Sequence, residues 1–151
     1  MAIDVNLIKQ LREKTGAGVA DCREALEESG GDIKKAEEFL SKKGFEKAAK
    51  KSDRETNAGL IESYIHQGRV GAMVEVLCET DFVARTDEFK NLAHEIAMQV
   101  ASMNPKNEKT LLAQEYIRDP QITISDLIKQ VIAKLGENIT LGRISRVEIG
   151  K

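Results

Sequence analysis

The hydrophobic period of this chain first changes at Gly59, and that change constrains the fold more than any other feature of its 151 residues. Before Gly59, apolar residues recur at helical spacing; directly after it, they alternate. Leu7, Ile8 and Leu11 lie at i, i+1 and i+4 on one helical face, and the run stops at Thr15-Gly16-Ala17-Gly18. Val19, Cys22, Ala25 and Leu26 make a second such face, ended by Ser29-Gly30-Gly31. Asp32 suits the N-cap of a third helix, with Ile33, Ala36, Phe39 and Leu40 on its apolar face and Gly44 placed as its C′ residue. Helices this short are marginal alone and must pack on one another. Residues 1–44 are therefore expected to form a three-helix domain.

Residues 45–58 carry Lys47, Lys50, Lys51 and Arg54 among Ala48, Ala49 and Ala58, and read as a basic, partly helical linker. Such a run is either a solvated face or an RNA contact. Asp53 and Glu55 favour the solvated face, as does the even balance of 12 positive and 12 negative charges in residues 1–58.

Beyond Gly59, Leu60 to His66, the turn Gln67-Gly68-Arg69, and Val70 to Cys78 read as a β-hairpin. Val70, Ala72, Val74, Val76 and Cys78 share one face of its second strand. A helix follows, capped at Thr86 or Asp87, with Phe89, Leu92, Ala93, Ile96 and Val100 in one stripe and its end before Asn104-Pro105. Residues 106–122 show no period. Thr123-Ile124-Ser125-Asp126 is similar to a capping box, opening a helix with Leu127, Ile128, Val131, Ile132 and Leu135 inward and Gly136 as its stop. A last strand, about Asn138 to Ile149, is expected to join the hairpin as a third. Residues 59–151 thus read as an α+β core domain, a small antiparallel sheet of about three strands covered by helices.

Composition narrows the chemistry. A formal net charge of −2 opposes nonspecific nucleic-acid binding, which runs on phosphate neutralisation. No apolar run approaches the roughly 18 residues of a membrane span, and Met1-Ala2-Ile3-Asp4 does not read as a secretory signal. Cys22 and Cys78 sit in no CxxC, and two histidines are too few for most metal or catalytic constellations. The expected compartment is the cytoplasm, with no cofactor, no metal, no membrane and no direct nucleic-acid partner. Aromatics are scarce at 4%, so the core must be mostly aliphatic.

An enzyme would have to be built from Cys78 and His66. In the hairpin His66 falls opposite Val70, eight residues from Cys78, which at about 3.3 Å per residue is roughly 26 Å. The dyad fails on distance, and Cys78 reads as a small core residue. His94 has Met98 at i+4 rather than a second ligand. No strand leads into Thr15-Gly16-Ala17-Gly18, so that stretch reads as a turn and not a phosphate loop. What remains is Thr80-Asp81-Phe82-Val83-Ala84-Arg85, between a strand and a helix. Pattern alone leaves two readings of Phe82: an aromatic folded back into the core, or an exposed anchor on a rigid turn for a partner.

At these residues the chain resembles a known family. Cys78-Glu79-Thr80-Asp81-Phe82-Val83-Ala84-Arg85 is similar to the signature of bacterial elongation factor Ts, the family that drives guanine-nucleotide exchange on elongation factor Tu. Leu11 to Gly18, followed by Asp21-Cys22 and Ala25-Leu26, resembles a second signature, and Ile132 to Ile139 a third. The resemblance implies a three-helix ubiquitin-associated-like domain, a linker and a core with a small antiparallel sheet. It implies that the Thr80-Asp81-Phe82-Val83 motif meets elongation factor Tu, with Phe82 pushed in near that partner's magnesium and phosphate site and Asp81 engaging its helix. It further implies an N-terminal grip through Leu11, Val19 and Ala20, and a homodimer through the core sheet, as in compact relatives.

Two departures stand out. Most of the family has two methionines where this chain has Val19-Ala20, and this chain passes from Asn104-Pro105-Lys106 almost directly to Thr110-Leu111-Leu112, where relatives carry a helical segment. That second departure motivates an alternative from another class, a helix- or peptide-binding module without exchange activity.

Overall fold

Three helices open the chain in the structure, a computed structural model that describes residues 2–151. They are α1 (Val5–Thr15), α2 (Val19–Glu28) and α3 (Ile33–Lys51). Ile8, Leu11, Cys22, Ala25, Leu26 and Ala36 bury a small core between them, with Phe39 and Leu40 half-buried against it. Lys43 and Lys47 of α3 reach Asp21 of α2 at 3.0 and 3.1 Å, and Lys43 also pairs with Glu24. These hydrogen bonds, from Lys43 first and Lys47 second, hold the Asp21 carboxyl below its ordinary value.

The expected stop at Gly44 is not there. α3 runs through it to Lys51, because Gly44 serves close approach rather than a left-handed cap: a β-carbon at this position would stand 3.2 Å from the Ala133 Cβ. Ala48, one turn further, is buried in the core of the second half. Absence of bulk at 44 and 48 lets α3 lie across a later helix, so the basic residues at 47, 50 and 51 are helical.

That second half follows in the order β1 (Ala58–His66), β2 (Val70–Cys78), α4 (Asp81–Ala84), α5 (Asp87–Met103), α6 (Glu108–Ala113), β3 (Glu115–Tyr116), β4 (Asp119–Thr123), α7 (Ile124–Leu135) and β5 (Ile139–Glu148). Strands β1, β2 and β5 form one antiparallel sheet, the last strand joining the hairpin as expected, and the order is β1-β2-β5. The class is α+β. Ala72, Val74, Val76 and Cys78 on the inner face of β2 are buried with Phe89, Leu92, Ala93, Ile96 and Val100 of α5 and with Ile124, Ile128 and Ile132 of α7. Thr123 and Asp126 form the expected capping box, and Gly136 ends α7 with φ 79°.

Gly59, where the period changes, is required by its surroundings. Its φ is +147°, and an added β-carbon would come within 2.2 Å of the Val76 carbonyl oxygen. The outer face of the sheet is uncovered. Ile61, Ile65, Met73 and Val147 are 62%, 65%, 50% and 70% exposed there.

The stretch without a period, 106–122, is a short helix and a small β3–β4 hairpin, both fastened to the core by side chains. Leu111 is buried. The fully buried Gln99 of α5 accepts from the Ile117 N–H at 3.0 Å and donates to the Glu115 carbonyl at 3.0 Å and the Gln114 side chain at 3.2 Å. The Tyr116 hydroxyl donates to Glu95 at 2.8 Å, and burial followed by this bond pushes the phenol up to about 12. Among the described residues no helix is long and apolar enough to cross a membrane.

Candidate functional site

The stretch from Thr80 to Arg85 connects β2 to α5 by a single helical turn, α4, and its geometry comes from its two ends. Thr80 is extended (φ −132°, ψ 156°) and caps α4, its hydroxyl accepting from the Val83 N–H at 3.4 Å. At the other end the Thr86 hydroxyl donates to the Val83 carbonyl at 2.7 Å while it accepts from the Phe89 N–H at 3.2 Å, capping α5. Both backbone groups of Val83 are thus satisfied by threonine side chains. Ala84 is buried, Val83 half-buried against the core, and these two residues anchor the turn.

Phe82 points the other way. It is 82% exposed, the highest value of any large apolar side chain among the described residues, and Asp81 beside it is exposed as well. Of the two readings left open by pattern, the exposed one is the arrangement in the structure. An aromatic held in water on a short, doubly fastened turn performs no proton chemistry; it is suited to entering a cavity on another molecule.

The second half of the turn's support comes from far along the chain. Glu137, just after α7, accepts the Thr80 N–H at 3.0 Å through one carboxylate oxygen and the Thr80 hydroxyl at 2.7 Å through the other. Next to it, the Asn138 N–H donates to Glu79 at 2.9 Å, and the Asn138 side-chain amide donates to the carbonyls of Arg54 at 2.8 Å and Ser52 at 3.4 Å. Sequence reasoning placed Glu79 and Glu137-Asn138 inside two separate motifs and gave them no role. A single chain carries no sign that they meet.

The proposed N-terminal patch is split by the structure. Val19 is 46% exposed and Ala20 is exposed at the start of α2. Leu11 is the correction: at 0% exposure it lies wholly inside the three-helix core, where it supports the patch from beneath and presents no surface. One cleft of about 460 Å³ lies near this patch, between the α1–α2 loop, α3 and α7. Three of its lysines, Lys14, Lys43 and Lys47, are engaged by Glu37 and Asp21, and Lys134 also lines it.

His66 pairs with Val70 and Cys78 with Ala58, at opposite ends of the hairpin, as the register predicts. Burial pushes the Cys78 thiol up, the opposite of an activated nucleophile. Among the described residues no group of three His, Cys, Asp or Glu side chains is placed to hold a metal ion.

The Elongation factor Ts of Caldanaerobacter subterraneus subsp. tengcongensis is 43% identical to this chain over 195 aligned positions, which cover 99% of this chain and 98% of the relative. That of Fervidobacterium nodosum is 41% identical over 197 positions, covering 100% of each. This chain belongs to the elongation factor Ts family. The sequence profile of the family described as Elongation factor TS matches residues 79–151, a span that opens on Glu79 and takes in both the Phe82 turn and its Glu137-Asn138 support. The Elongation factor Ts of Coprothermobacter proteolyticus is likewise 43% identical over 197 positions. These alignments are longer than the 151 residues of this chain, so part of each relative has no counterpart in this family member.

Proposed function

We propose that this chain accelerates release of GDP from elongation factor Tu during translation elongation, and that Phe82 does so by wedging in beside the partner's magnesium and phosphates. The observation that carries this reading is the 82% exposure of Phe82 on a turn whose two ends are fixed. A GTPase holds GDP through phosphate contacts and Mg²⁺, a metal that tolerates little distortion of its octahedral shell. A partner that binds the nucleotide-free state more tightly must weaken nucleotide binding by the same factor. A thousandfold faster release needs about 4 kcal/mol off the dissociation barrier. One buried aromatic anchor, worth about 2–4 kcal/mol in other interfaces, is of the right size to supply a large share.

In this reading Thr80 and Val83 shape the turn, Asp81 engages a helix of the partner, and Val19 and Ala20 make a second contact. Residues 1–44 then bind the partner, 45–58 connect, and 59–151 act on the nucleotide site, with α3 bridging the first two. The uncovered sheet face of Ile61, Ile65, Met73 and Val147 is the surface on which a second copy of the chain would pair, sheet to sheet. Light scattering at micromolar concentration tests this, a dimer being expected and a monomer counting against it. Exchange itself is tested by following a fluorescent GDP analogue leaving elongation factor Tu with and without this chain. Tight binding with no acceleration would leave a binding module instead.

A further inference from the structure

We propose that Glu137 is a positioning residue for exchange: its carboxylate fixes Thr80, and Thr80 fixes the turn that aims Phe82. The inference rests on the reading of Phe82 given above and extends it to a residue 57 positions from Thr80.

Phe82 is too exposed for its own packing to direct it, and α4 is only four residues long, so its direction comes from the packing of Val83 and Ala84 and from the hydrogen bonds at the two ends of the turn. At the N-terminal end the decisive group is the Thr80 hydroxyl. A hydroxyl has one proton and two lone pairs, and rotates to suit its partners. Here the proton goes to Glu137 at 2.7 Å, which leaves a lone pair for the Val83 N–H. The second carboxylate oxygen takes the Thr80 backbone N–H at 3.0 Å, so Glu137 holds Thr80 by two charge-assisted bonds rather than one. Two contacts from one planar group fix orientation as well as distance. The Thr80 carbonyl is in turn engaged by the Cys78 thiol at 3.2 Å and the Ala84 N–H at 3.3 Å.

Glu137 can position only if it is itself positioned. The preceding Gly136 closes α7, and the following Asn138 is 3% exposed, tied to Glu79 on one side and to the carbonyls of Ser52 and Arg54 on the other. The carboxylate therefore sits on a loop pinned at both neighbours.

The test is stopped-flow release of a fluorescent GDP analogue from elongation factor Tu by the full chain, with thermal unfolding of each variant measured alongside. Glu137→Ala is expected to lower the maximal exchange rate by about tenfold or more, since small misplacements of a reacting group cost that much. Its KM for GDP-loaded elongation factor Tu should stay within about twofold, because the contact surface is unchanged. Glu137→Gln keeps an acceptor for the Thr80 N–H and a partner for its hydroxyl, and should restore most of the rate. Thr80→Val, which keeps side-chain shape and loses the hydroxyl, should reproduce the loss. The deciding arm is the double variant: in a Phe82→Ala background, Glu137→Ala should cost nothing further. Independent, additive losses would overturn the proposal, as would a wild-type rate in Glu137→Ala or a loss confined to KM that tracks a fall in Tm. If Phe82→Ala alone exchanges like wild type, the wedge reading itself has failed, and that single variant shows it whatever Glu137 does.

Discussion

Gly44 of α3 lies against Ala133 of α7, so closely that a β-carbon at residue 44 would stand 3.2 Å from the Ala133 Cβ. This contact, with Ala48 buried nearby, seats the N-terminal helices on the core. Gly44→Leu should force the two helices apart and cost about 1–3 kcal/mol, read as a lower urea midpoint. Gly44→Ala should stay within about 1 kcal/mol of wild type, because the gain in helix propensity offsets the tight contact. A Leu variant as stable as wild type would mean that α3 does not pack on α7.

Glu75 and Arg143 make a pH prediction on the outer sheet face. The Arg143 side chain, then its backbone N–H, hold the Glu75 carboxyl down at about 2 against an ordinary 4.5. Because the folded value is the lower one, the contribution of the pair is complete above 4.5 and is lost as pH falls toward 2. Carboxyl NMR titration should find Glu75 near 2 in wild type and clearly higher in Arg143→Met, where only the backbone bond remains. An unchanged midpoint would contradict the assignment.

Gln99 is fully buried and makes three hydrogen bonds to the segment before and within the β3–β4 hairpin. Gln99→Leu keeps the volume but strands the Ile117 N–H and the Glu115 carbonyl. Each stranded group costs about 1–3 kcal/mol when it stays buried. The expected result is a destabilised protein whose Ile117 amide loses its hydrogen-exchange protection. Protection equal to wild type would mean that Gln99 does not hold the hairpin.

Val19 tests the N-terminal contact separately from the wedge. It is 46% exposed at the first position of α2, so Val19→Asp should leave folding intact. On elongation factor Tu it should raise KM by about tenfold, equivalent to about 1.4 kcal/mol, and leave the maximal rate unchanged. A drop in maximal rate at constant KM would place this patch in the exchange step rather than in binding.

How much of this was legible before the structure depends on the range of the forces involved. Local chemistry was readable: the switch of period at Gly59, the Thr123–Asp126 capping box, and the stop at Gly136 all depend on neighbours in sequence. Gly44 differs from its expectation because a glycine after an apolar helical run usually ends the helix, whereas here tertiary packing on Ala133 uses its missing side chain. Leu11 lies on the face that α1 turns inward, so it contributes no surface to the N-terminal patch. The 106–122 stretch had no period because a two-residue strand and a six-residue helix are too short to show one. The Thr80–Glu137 contact joins residues 57 apart and depends on β5 lying beside β2. No local pattern encodes it.

The central claim is that one exposed aromatic opens the nucleotide site, and its most direct test is Phe82→Ala. Release of a fluorescent GDP analogue from elongation factor Tu should be strongly accelerated by wild type. The variant should lose at least about tenfold of that acceleration, corresponding to about 1.4 kcal/mol or more, with an unchanged Tm because the side chain is in water. Equal acceleration by wild type and Phe82→Ala would contradict the account.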